Sequence, residues 1–217
     1  MRMRLQPIRV YCLHHVCAAF DAEYMNECDW MQIDEFKSNV QKMQQEGIEF
    51  ISLTEAYCYI CNDWARVKKC AVLTFDDGYA SLKEILPWLE EHYIPVTLFV
   101  NGKYLDGKSF RENQKERYLT EKELFAMTSP LIEIGSHGWE HVRATEQAEA
   151  NFVKSIEQNI AMLSKHLRYI PYHAYTYNDH NDALNAILGQ YSLIPVLIDG
   201  MKNYDDSHVI HRELMDV

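Results

Sequence analysis

Two adjacent carboxylates form the first candidate catalytic group of the sequence. Asp76 and Asp77 directly follow the apolar run at residues 71–75, and Gly78 after them permits a tight turn. Neighbouring side chains of an extended chain point in opposite directions, so the two carboxylates can divide two chemical tasks. Either aspartate could instead cap a helix that begins near Tyr79. An Asp-Asp-Gly segment alone therefore leaves a catalytic and a structural interpretation open.

Two histidines four residues apart form the second candidate group. His137 and His141 follow the apolar run at residues 132–136, and their spacing predicts that both imidazoles lie on one face of a helical turn. Two imidazoles and one aspartate would give a tetrahedral metal ion such as zinc three protein ligands. The fourth position would stay open, which is the catalytic pattern. Chance placement of surface histidines is the alternative.

Two further groups are less specific. His14 and His15 end the first apolar segment, where one imidazole could supply a proton near neutral pH or could simply be buried. The segment at residues 173–180, HAYTYNDH, combines aromatic rings with polar tips, as carbohydrate pockets often do. Aromatic residues are also ordinary strand formers, and for this segment alone that interpretation is favoured.

The apolar pattern that must position these groups alternates between strands and helices. We predict strands at residues 8–16, 48–53, 71–75, 96–100, 132–136, 172–177 and 193–198. Helices are predicted between them, at residues 36–47, from an N-cap at Thr54 to residue 62, around residues 85–89, after a capping box at residues 120–123, over residues 145–167 and through residue 187.

Alternating units predict an α/β fold in which helices lie outside a parallel sheet, either an open doubly wound sheet or a barrel. A full eightfold barrel usually needs about 250 residues. We therefore expect a distorted, shortened (β/α) barrel of about seven strands, formed by residues 1–217 as a single domain. In both architectures the active site lies at the C-terminal ends of the strands, where the candidate groups are found.

Composition narrows the classes of function. Hydrophobic residues make up 47% of the chain and charged residues 24%, which is typical of a soluble globular protein. The net charge of −11 opposes binding to a polyanion, so we expect no nucleic-acid partner. The longest apolar runs fall short of the roughly 18 residues of a membrane span.

The cysteines and the N-terminus suggest a compartment. No secretory leader is recognised, because histidine, arginine and proline interrupt the first apolar segment. We therefore expect a cytoplasmic protein with free thiols. Thiol redox chemistry through Cys58 and Cys61 is a minor alternative, because the pair falls within a segment and not at a helix N-terminus. The six cysteines are Cys12, Cys17, Cys28, Cys58, Cys61 and Cys70.

Four motifs together resemble a known family. TFDDGY at residues 74–79, SHGWEH at 136–141, HAYTYND at 173–179 and LHHV at 13–16 resemble those of the polysaccharide deacetylases, the NodB homology group or carbohydrate esterase family 4. The similarity extends from about Ile8 to about Arg212. The segment at residues 35–57 is similar to its counterpart in the branch that acts on poly-N-acetylglucosamine.

The resemblance implies a hydrolase that removes N-acetyl groups from sugars with a divalent metal, commonly zinc, with nickel or cobalt as alternatives. Asp77, His137 and His141 match the metal ligands of the family. Asp76 matches the general base that deprotonates the metal-bound water. Such chemistry suits an amide, whose hydrolysis needs an activated water, stabilisation of the carbonyl oxygen and a proton for the leaving nitrogen.

Two further roles follow from the same resemblance. His14 matches the histidine that acts as general acid toward the leaving amine, and the backbone N–H of Tyr177 matches a donor to the oxyanion. The substrate would be an N-acetylated sugar. With no leader recognised, we expect a nucleotide-linked or lipid-linked form of that sugar on the cytoplasmic side of the membrane.

Several positions depart from the pattern of the family. The serine or threonine after the first motif histidine is Gly138, and the third-motif proline and glycine are Thr176 and Asn178. The arginine that orients the base corresponds to Ala174, and Arg212 could substitute for it. These departures motivate an alternative function, a catalytically silent protein that binds carbohydrate or assists assembly on the same fold.

Overall fold

The computed structural model describes residues 8–18, 30–61, 69–108, 117–201, 203 and 209–215. These residues form ten strands and six α-helices. The strands are β1 (Arg9–Leu13), β2 (His15–Cys17), β3 (Trp30–Gln32), β4 (Ile48–Phe50), β5 (Lys69–Phe75), β6 (Val96–Val100), β7 (Ile132–Ser136), β8 (Tyr169–Ala174), β9 (Ile194–Ile198) and β10 (Ile210–Leu214). The helices are α1 (Ile33–Gln45), α2 (Leu53–Cys61), α3 (Leu82–Glu91), α4 (Glu121–Ala126), α5 (Glu149–Leu163) and α6 (Asp182–Gln190).

Seven parallel strands close into a barrel, in the order β1, β10, β9, β8, β7, β6 and β5. Closure comes from the pairing of β5 with β1, in register from Arg9 opposite Ala71 to Leu13 opposite Phe75. Strand β4 extends the sheet beside β5, and β2 pairs with β3 in a separate parallel ribbon. The expected shortened (β/α) barrel is therefore confirmed, and the open sheet is excluded.

Alternating side chains of the strands face the barrel interior and the surrounding helices. Leu73 of β5 packs with Phe36 of α1 and Ile85 of α3, on the outer side. Val72, its neighbour, packs with Phe99 and with residues of α2. The hydrophobic cluster that contains Val72 and Phe99 also includes side chains of four other barrel strands and of α2. Helix α2 therefore packs against one end of the barrel interior.

Most predicted elements agree with the structure. Strands β6 and β7 have the predicted bounds, and α1 buries Phe36 and Val40 before Gly47, whose φ is +79°. The capping box of α4 is present, since the Thr120 side chain accepts from the Glu123 backbone while the Glu123 carboxylate accepts from the Thr120 N–H. Local hydrogen bonds of this kind depend on sequence spacing alone.

The N-cap predicted at Thr54 is wrong. Helix α2 begins at Leu53, and the Ser52 hydroxyl accepts a hydrogen bond from the Glu55 N–H at 3.1 Å. The carboxylate of Glu133, on β7, accepts from the Leu53 N–H at 2.9 Å and from the Thr54 N–H. Ser52 therefore caps this helix two residues before the predicted position, and Glu133, distant in sequence, adds an acceptor that local patterns could not show.

Two predicted elements have different bounds in the structure: the helix is shorter, and the strand begins and ends three residues earlier. Helix α5 ends at Leu163, and Leu167, predicted on its apolar face, is 76% exposed. The chain turns there because the His166 ring bonds the Leu124 carbonyl of α4, at 2.9 Å. The strand predicted at residues 172–177 ends at Ala174, since Tyr177 has a left-handed φ of +56°.

Two other differences concern the first and last strands of the barrel. The strand predicted at residues 8–16 divides into β1 and β2, with His14 between them. Strand β10 was not predicted, because its sequence, IHREL, carries charges in place of an apolar run. One of these charged side chains, Arg212, is buried in the barrel and is only 1% exposed.

Within the described residues, no helix has both the length and the apolar character needed to cross a membrane. Five cysteines fall in this part of the chain, and none of these five is paired in a disulfide. Cys58 and Cys61 lie in the last turns of α2, away from its N-terminus. The sixth, Cys28, lies outside the described residues.

Candidate metal centre and catalytic residues

The candidate groups meet at the C-terminal ends of the barrel strands. Asp76 and Asp77 directly follow β5, and the 137–141 segment follows β7. Tyr177 follows β8, while Arg212 reaches the same region from within β10. Parallel strands bring their carboxyl ends to one edge of a barrel, so separate segments contribute to a single site.

Three predicted metal ligands converge. The Asp77 Oδ1 atom lies 3.2 Å from the His137 Nε2 atom and 3.1 Å from the His141 Nε2 atom. The three ligand atoms lie within 4.8 Å of one another. Ligands about 2.0–2.1 Å from a tetrahedral zinc ion are about 3.3 Å apart, which agrees with the two shorter distances. The arrangement therefore suits a small divalent cation.

The hydrogen bonding of His137 supports the same conclusion. Its Nδ1 atom lies 2.7 Å from the Ala174 carbonyl oxygen, which can only accept, so Nδ1 carries the proton. In the neutral imidazole, Nε2 then presents a lone pair toward Asp77. The Asp77 Oδ1 atom is buried and has no partner with hydrogen-bond geometry. Two electron-rich atoms facing each other are stabilised by a cation between them.

The backbone around the two histidines differs from the predicted helical turn. The 137–141 segment forms bends instead of a helix, and Gly138 has a φ of +80°. The Asn101 side chain donates to the His137 carbonyl oxygen at 2.5 Å, and the Ser155 hydroxyl accepts from the Trp139 N–H at 2.8 Å. The two histidines identified by their four-residue spacing do lie together beside Asp77, but these contacts, and not a helical turn, position them.

The departure at Gly138 has a local explanation. A residue with a side chain is strained at a φ of +80°, whereas glycine adopts this conformation freely. Asp77 also has a positive φ, +69°, a conformation that aspartate tolerates better than most residues. The backbone therefore turns sharply at both segments that carry the ligands.

Burial and contacts set the protonation of the ligands. Burial alone would raise the pKa of Asp77, but its contacts with the two imidazoles hold the pKa well below the ordinary value. Burial alone would lower the pKa of His137, whereas Asp76 and Asp77 raise it, and the net shift is upward. Without a metal ion, the two buried carboxylates therefore favour a proton on His137 as the counter-charge.

Asp76 and Arg212 form a buried ion pair. The Arg212 Nη1 atom donates to Asp76 Oδ1 at 2.6 Å, and Nη2 donates to Asp76 Oδ2 at 2.9 Å. Burial alone would raise the pKa of Asp76, but the charges of Arg212 and His137 hold it below the ordinary value. Arg212 also bonds the Thr74 hydroxyl, and its guanidinium lies 5.3 Å from the centre of the Phe99 ring. The arginine predicted as a substitute thus contacts the predicted base.

His14 and Cys12 lie on the other side of Asp76. Ligand atoms of Cys12, His14 and Asp76 lie within 4.8 Å of one another, and the Cys12 thiol donates to Asp76 Oδ2 at 3.4 Å. His14 is partly exposed, while the neighbouring His15 is buried with its ring centre 3.7 Å from that of Tyr79. Of the two candidate histidines, His14 is therefore the one adjacent to the predicted base.

The segment after β8 carries Tyr177 beside His141. The two ring centres are 4.5 Å apart, and the Arg143 guanidinium lies 4.7 Å from the centre of the Tyr177 ring. The Thr176 hydroxyl donates to the Val142 carbonyl oxygen, which joins this segment to the one that bears His141. Tyr177 is 52% exposed, so its ring and backbone lie at the entrance of the site.

Asn178 replaces the family's glycine and adopts a left-handed φ of +52°. Asparagine is one of the few residues with a side chain that adopts this conformation readily. Its side chain adds two contacts that glycine cannot make. The amide nitrogen donates to the Ile198 carbonyl oxygen at 2.7 Å, and the amide oxygen accepts from the Ile198 N–H at 2.7 Å. The segment with Tyr177 is thereby attached to β9.

Sequence reasoning missed a buried polar network below the ligands. The Ser136 hydroxyl accepts from the Asn159 amide at 2.8 Å and lies 3.1 Å from the His173 Nδ1 atom. The Asn159 amide oxygen accepts from the Gly102 N–H at 2.9 Å. Burial and the neighbouring His137 lower the pKa of His173 to about 3, so this imidazole is neutral. A polar Asn159 within the apolar face of α5 was the available signal.

An aromatic wall beside the metal ligands was also missed. We use this name for Tyr79, Tyr118 and Tyr104, whose rings stack with centre distances of 4.9 Å and 5.3 Å. Residues 117–120 lie against the site, since the Leu119 N–H donates to the Gly78 carbonyl oxygen at 2.9 Å. The tyrosine that directly follows the Asp-Asp-Gly segment was the available signal.

A family of known proteins resembles this chain over the segments that carry the candidate metal ligands. Residues 64–195 match the model of the polysaccharide deacetylase family. YxkH of Bacillus subtilis (strain 168), whose name places it among polysaccharide deacetylases, is 28% identical over 109 residues. This match covers 50% of the chain and 36% of YxkH. His14 and Arg212 lie outside the residues matched by the family model.

Solved structures share the fold along nearly the whole chain. IcaB from Ammonifex degensii has a TM-score of 0.79 at 21% identity, covering 98% of this chain and 94% of that one. The Streptococcus pyogenes deacetylase PplD in complex with acetate has a TM-score of 0.83 at 20% identity, covering 98% and 93% of the two chains. The motifs, the barrel and the family match agree, and the chain belongs to the polysaccharide deacetylase family.

Proposed function

We propose that the protein is a metal-dependent hydrolase that removes the N-acetyl group from an N-acetylated sugar. The observation that carries the proposal is the convergence of two histidine nitrogens on Asp77 Oδ1, at 3.1 and 3.2 Å, beside a second carboxylate held ionised by Arg212. Metal-assisted hydrolysis of an amide uses a metal-binding group and a separate base, and this site offers both, with the ligand Asp77 next to the base Asp76 in the chain.

Asp77, His137 and His141 would hold the metal ion. A divalent ion bound by three protein ligands lowers the pKa of a coordinated water to about 7 and polarises a carbonyl group. Zinc suits the one-oxygen, two-nitrogen ligand set best, and nickel or cobalt would also be accepted.

Asp76 would act as the general base. The pKa of Asp76 is depressed, so the carboxylate is ionised and ready to accept a proton. Arg212 binds both carboxylate oxygens and thereby fixes the plane of the carboxylate relative to the metal ligands. A base in a fixed position contributes typically about 10²–10⁴-fold to the rate.

His14 would act as the general acid. It is partly exposed beside Asp76, so it can exchange protons with solvent and reach the leaving nitrogen from the side of β1. An imidazole is the side chain best suited to donating a proton close to neutral pH. With Asp76 as base, the two proton transfers would use different side chains on adjacent strands.

The backbone N–H of Tyr177 would stabilise the oxyanion that forms on the acetyl carbonyl. The left-handed turn at Tyr177 and Asn178 sets the direction of this N–H, and the Asn178 contacts with Ile198 hold the turn in place. A donor that is already oriented stabilises the transition state without a reorganisation cost.

The departures from the family pattern support catalysis rather than a silent binding protein. Gly138 satisfies a strained backbone position, and Arg212 occupies the place beside the base that Ala174 cannot. Thr176 joins the segments that bear His141 and Tyr177. At each of these three departures, a residue of this chain therefore makes a contact or adopts a backbone conformation that supports the site.

The substrate would be an N-acetylated carbohydrate. PplD, which shares the fold, is known in complex with acetate, the acid released by hydrolysis of an acetamide. A nucleotide-linked or lipid-linked sugar is our proposed form of the substrate, and assays with free oligosaccharide, nucleotide-linked and lipid-linked acceptors distinguish the forms.

Metal content and acetate release test the proposal together. Protein purified without chelator should carry about one divalent ion per chain, and it should release acetate from at least one N-acetylated sugar in the panel. Asp77→Ala should lose both properties. Asp199→Ala is the matched control, because Asp199 also contacts a histidine, His211, at 2.7 Å. It should keep the ion and the activity.

Other results would contradict the proposal. If Asp77→Ala retains the metal ion, the ligand assignment is wrong. If the loaded protein binds an N-acetylated sugar in calorimetry but releases no acetate over hours, the silent binding function replaces the hydrolase. If Asp76→Asn and His14→Gln variants keep the full rate, the base and acid assignments are wrong.

A further inference from the structure

A second cluster of potential metal ligands lies directly beside the proposed base. Cys12, on β1, places its thiol 3.4 Å from Asp76 Oδ2, and a ring nitrogen of His14 lies within 4.8 Å of both groups. A sulfur about 2.3 Å and an oxygen about 2.1 Å from a tetrahedral metal ion are about 3.6 Å apart. The spacing of thiol and carboxylate is therefore close to that of two ligands of one ion.

We infer that Cys12, His14 and Asp76 form a second cation site, which takes a soft divalent ion such as Cd²⁺ or excess Zn²⁺. The ligand set contains sulfur, nitrogen and oxygen, in contrast to the Asp77 site, which has no sulfur. Thiolates favour soft and borderline cations over Mg²⁺ or Ca²⁺. The two sites therefore differ in the metals that they prefer.

Two features make the second site the weaker one. Burial raises the pKa of the Cys12 thiol well above its ordinary value, so a metal–sulfur bond forms only when the ion displaces the thiol proton to solvent. The Arg212 guanidinium, which bonds Asp76 on both oxygens, also repels a cation. The site should therefore fill only after the Asp77, His137 and His141 site is occupied.

Occupation of the second site would inhibit the enzyme. An ion bound to Asp76 and His14 would engage the proposed base and the proposed acid at once. This consequence rests on the proposed function, whereas the binding of the ion does not. An excess of the metal that activates the enzyme would then reduce its rate, with Cys12 as the residue responsible.

Cadmium titration tests the binding directly. The thiols of Cys58 and Cys61 are exposed and Cys28 lies outside the described residues, so all three are first replaced by serine. The protein is loaded with one equivalent of Zn²⁺ and titrated with Cd²⁺ while the ultraviolet thiolate-to-cadmium charge-transfer band is recorded. Because the first site has no sulfur, displacement of zinc there produces no band.

The expected result is a saturable band at one added Cd²⁺ per chain. In the same background, Cys12→Ser should abolish the band, because serine keeps the hydrogen bond to Asp76 but lacks the sulfur. His14→Gln should weaken binding at least tenfold. Cys70→Ser, which replaces a buried cysteine of β5, is the matched control and should leave the band unchanged.

Absence of a saturable band in the parent protein would overturn the inference, as would a band of full intensity in Cys12→Ser. The parent titration needs no substitution at Cys12, so the result does not depend on how well that variant folds. If no sugar is deacetylated but the band saturates, the second site stands and the proposed function fails. If acetate is released and no band forms, the proposed function stands alone.

Discussion

The Arg212→Met substitution removes both hydrogen bonds that hold Asp76 ionised. Methionine has a similar length but no charge, and its apolar side chain suits the buried position beside Phe99. The variant therefore leaves a carboxylate, itself 2% exposed, without its counter-charge. The Arg9→Met variant is the matched control, because Arg9 pairs with Glu213 at 3.1 Å on the protein surface.

The magnitude follows from burial. Removing one partner of a buried ion pair costs about 3–5 kcal/mol of unfolding free energy. The exposed Arg9 pair contributes at most about 1 kcal/mol, because solvent screens it. An opposite charge at hydrogen-bond distance lowers the pKa of a carboxyl group, so we expect the pKa of Asp76 to rise in Arg212→Met.

The sign of the pH dependence follows from the depressed pKa of Asp76. The stability that the ionised carboxylate contributes is present above its unfolded pKa, near 3.8, and is lost as pH falls through the lower folded pKa. In Arg212→Met this contribution disappears. The acidic limb of the kcat/KM profile should also move to higher pH, because the base is protonated over a wider range.

Urea unfolding at pH 7 and a pH profile of acetate release measure the two effects. We expect a large loss of stability in Arg212→Met, little change in Arg9→Met, and a shifted acidic limb only in the former. A loss below about 1 kcal/mol in Arg212→Met would refute the energetic argument. An unshifted acidic limb would show that Arg212 does not control the protonation of the base.

Three more predictions concern single contacts. Asn178→Ala should lower kcat about tenfold or more with little change in KM, because it loses two hydrogen bonds to Ile198 and disfavours the left-handed backbone. Asn178→Gly should lower kcat less, because glycine adopts that backbone freely. A kcat of Asn178→Ala equal to that of the parent protein would contradict the role of Asn178 in orienting the Tyr177 N–H. Glu133→Ala should destabilise the protein by about 1–3 kcal/mol in urea, because it removes the carboxylate that accepts from the first N–H groups of α2, whereas an unchanged midpoint would exclude a stabilising role of that cap. His173 is neutral when folded, with its pKa lowered to about 3, so the unfolded chain takes up its proton first and stability should fall as pH drops below about 6.5. His173→Asn should show a shallower fall, and identical slopes from urea titrations at several pH values would contradict the assignment.

Periodicity predicted much of the fold because it depends on local geometry. The apolar runs that form β6 and β7 are bounded by polar or turn residues, and both strands are almost entirely buried, as expected for strands covered by helices. The capping box at Thr120 also needs only residues three positions apart. A single domain over residues 1–217, the cytoplasmic location and the roles of the site residues stay predictions.

Long-range contacts explain most of the errors. The N-cap of α2 is Ser52 instead of Thr54, and Glu133, eighty residues from Leu53, also accepts from the start of this helix. The predicted helical turn at His137 fails because Asn101 and Ser155 hold its backbone in another conformation. Strand β10 escaped prediction because its central residue, Arg212, is charged and finds its partner only inside the barrel.

The sequence by itself determined the candidate residues for the chemistry, because the types and spacing of Asp76, Asp77, His137 and His141 are visible in two short segments. The tertiary structure decided how they work together. Closure of the barrel brings Arg212 to Asp76 across 136 residues, and it turns the His137 Nδ1 atom toward Ala174 so that Nε2 faces Asp77. These contacts join separate strands, and local sequence patterns carry no information about pairs that only the closed barrel creates.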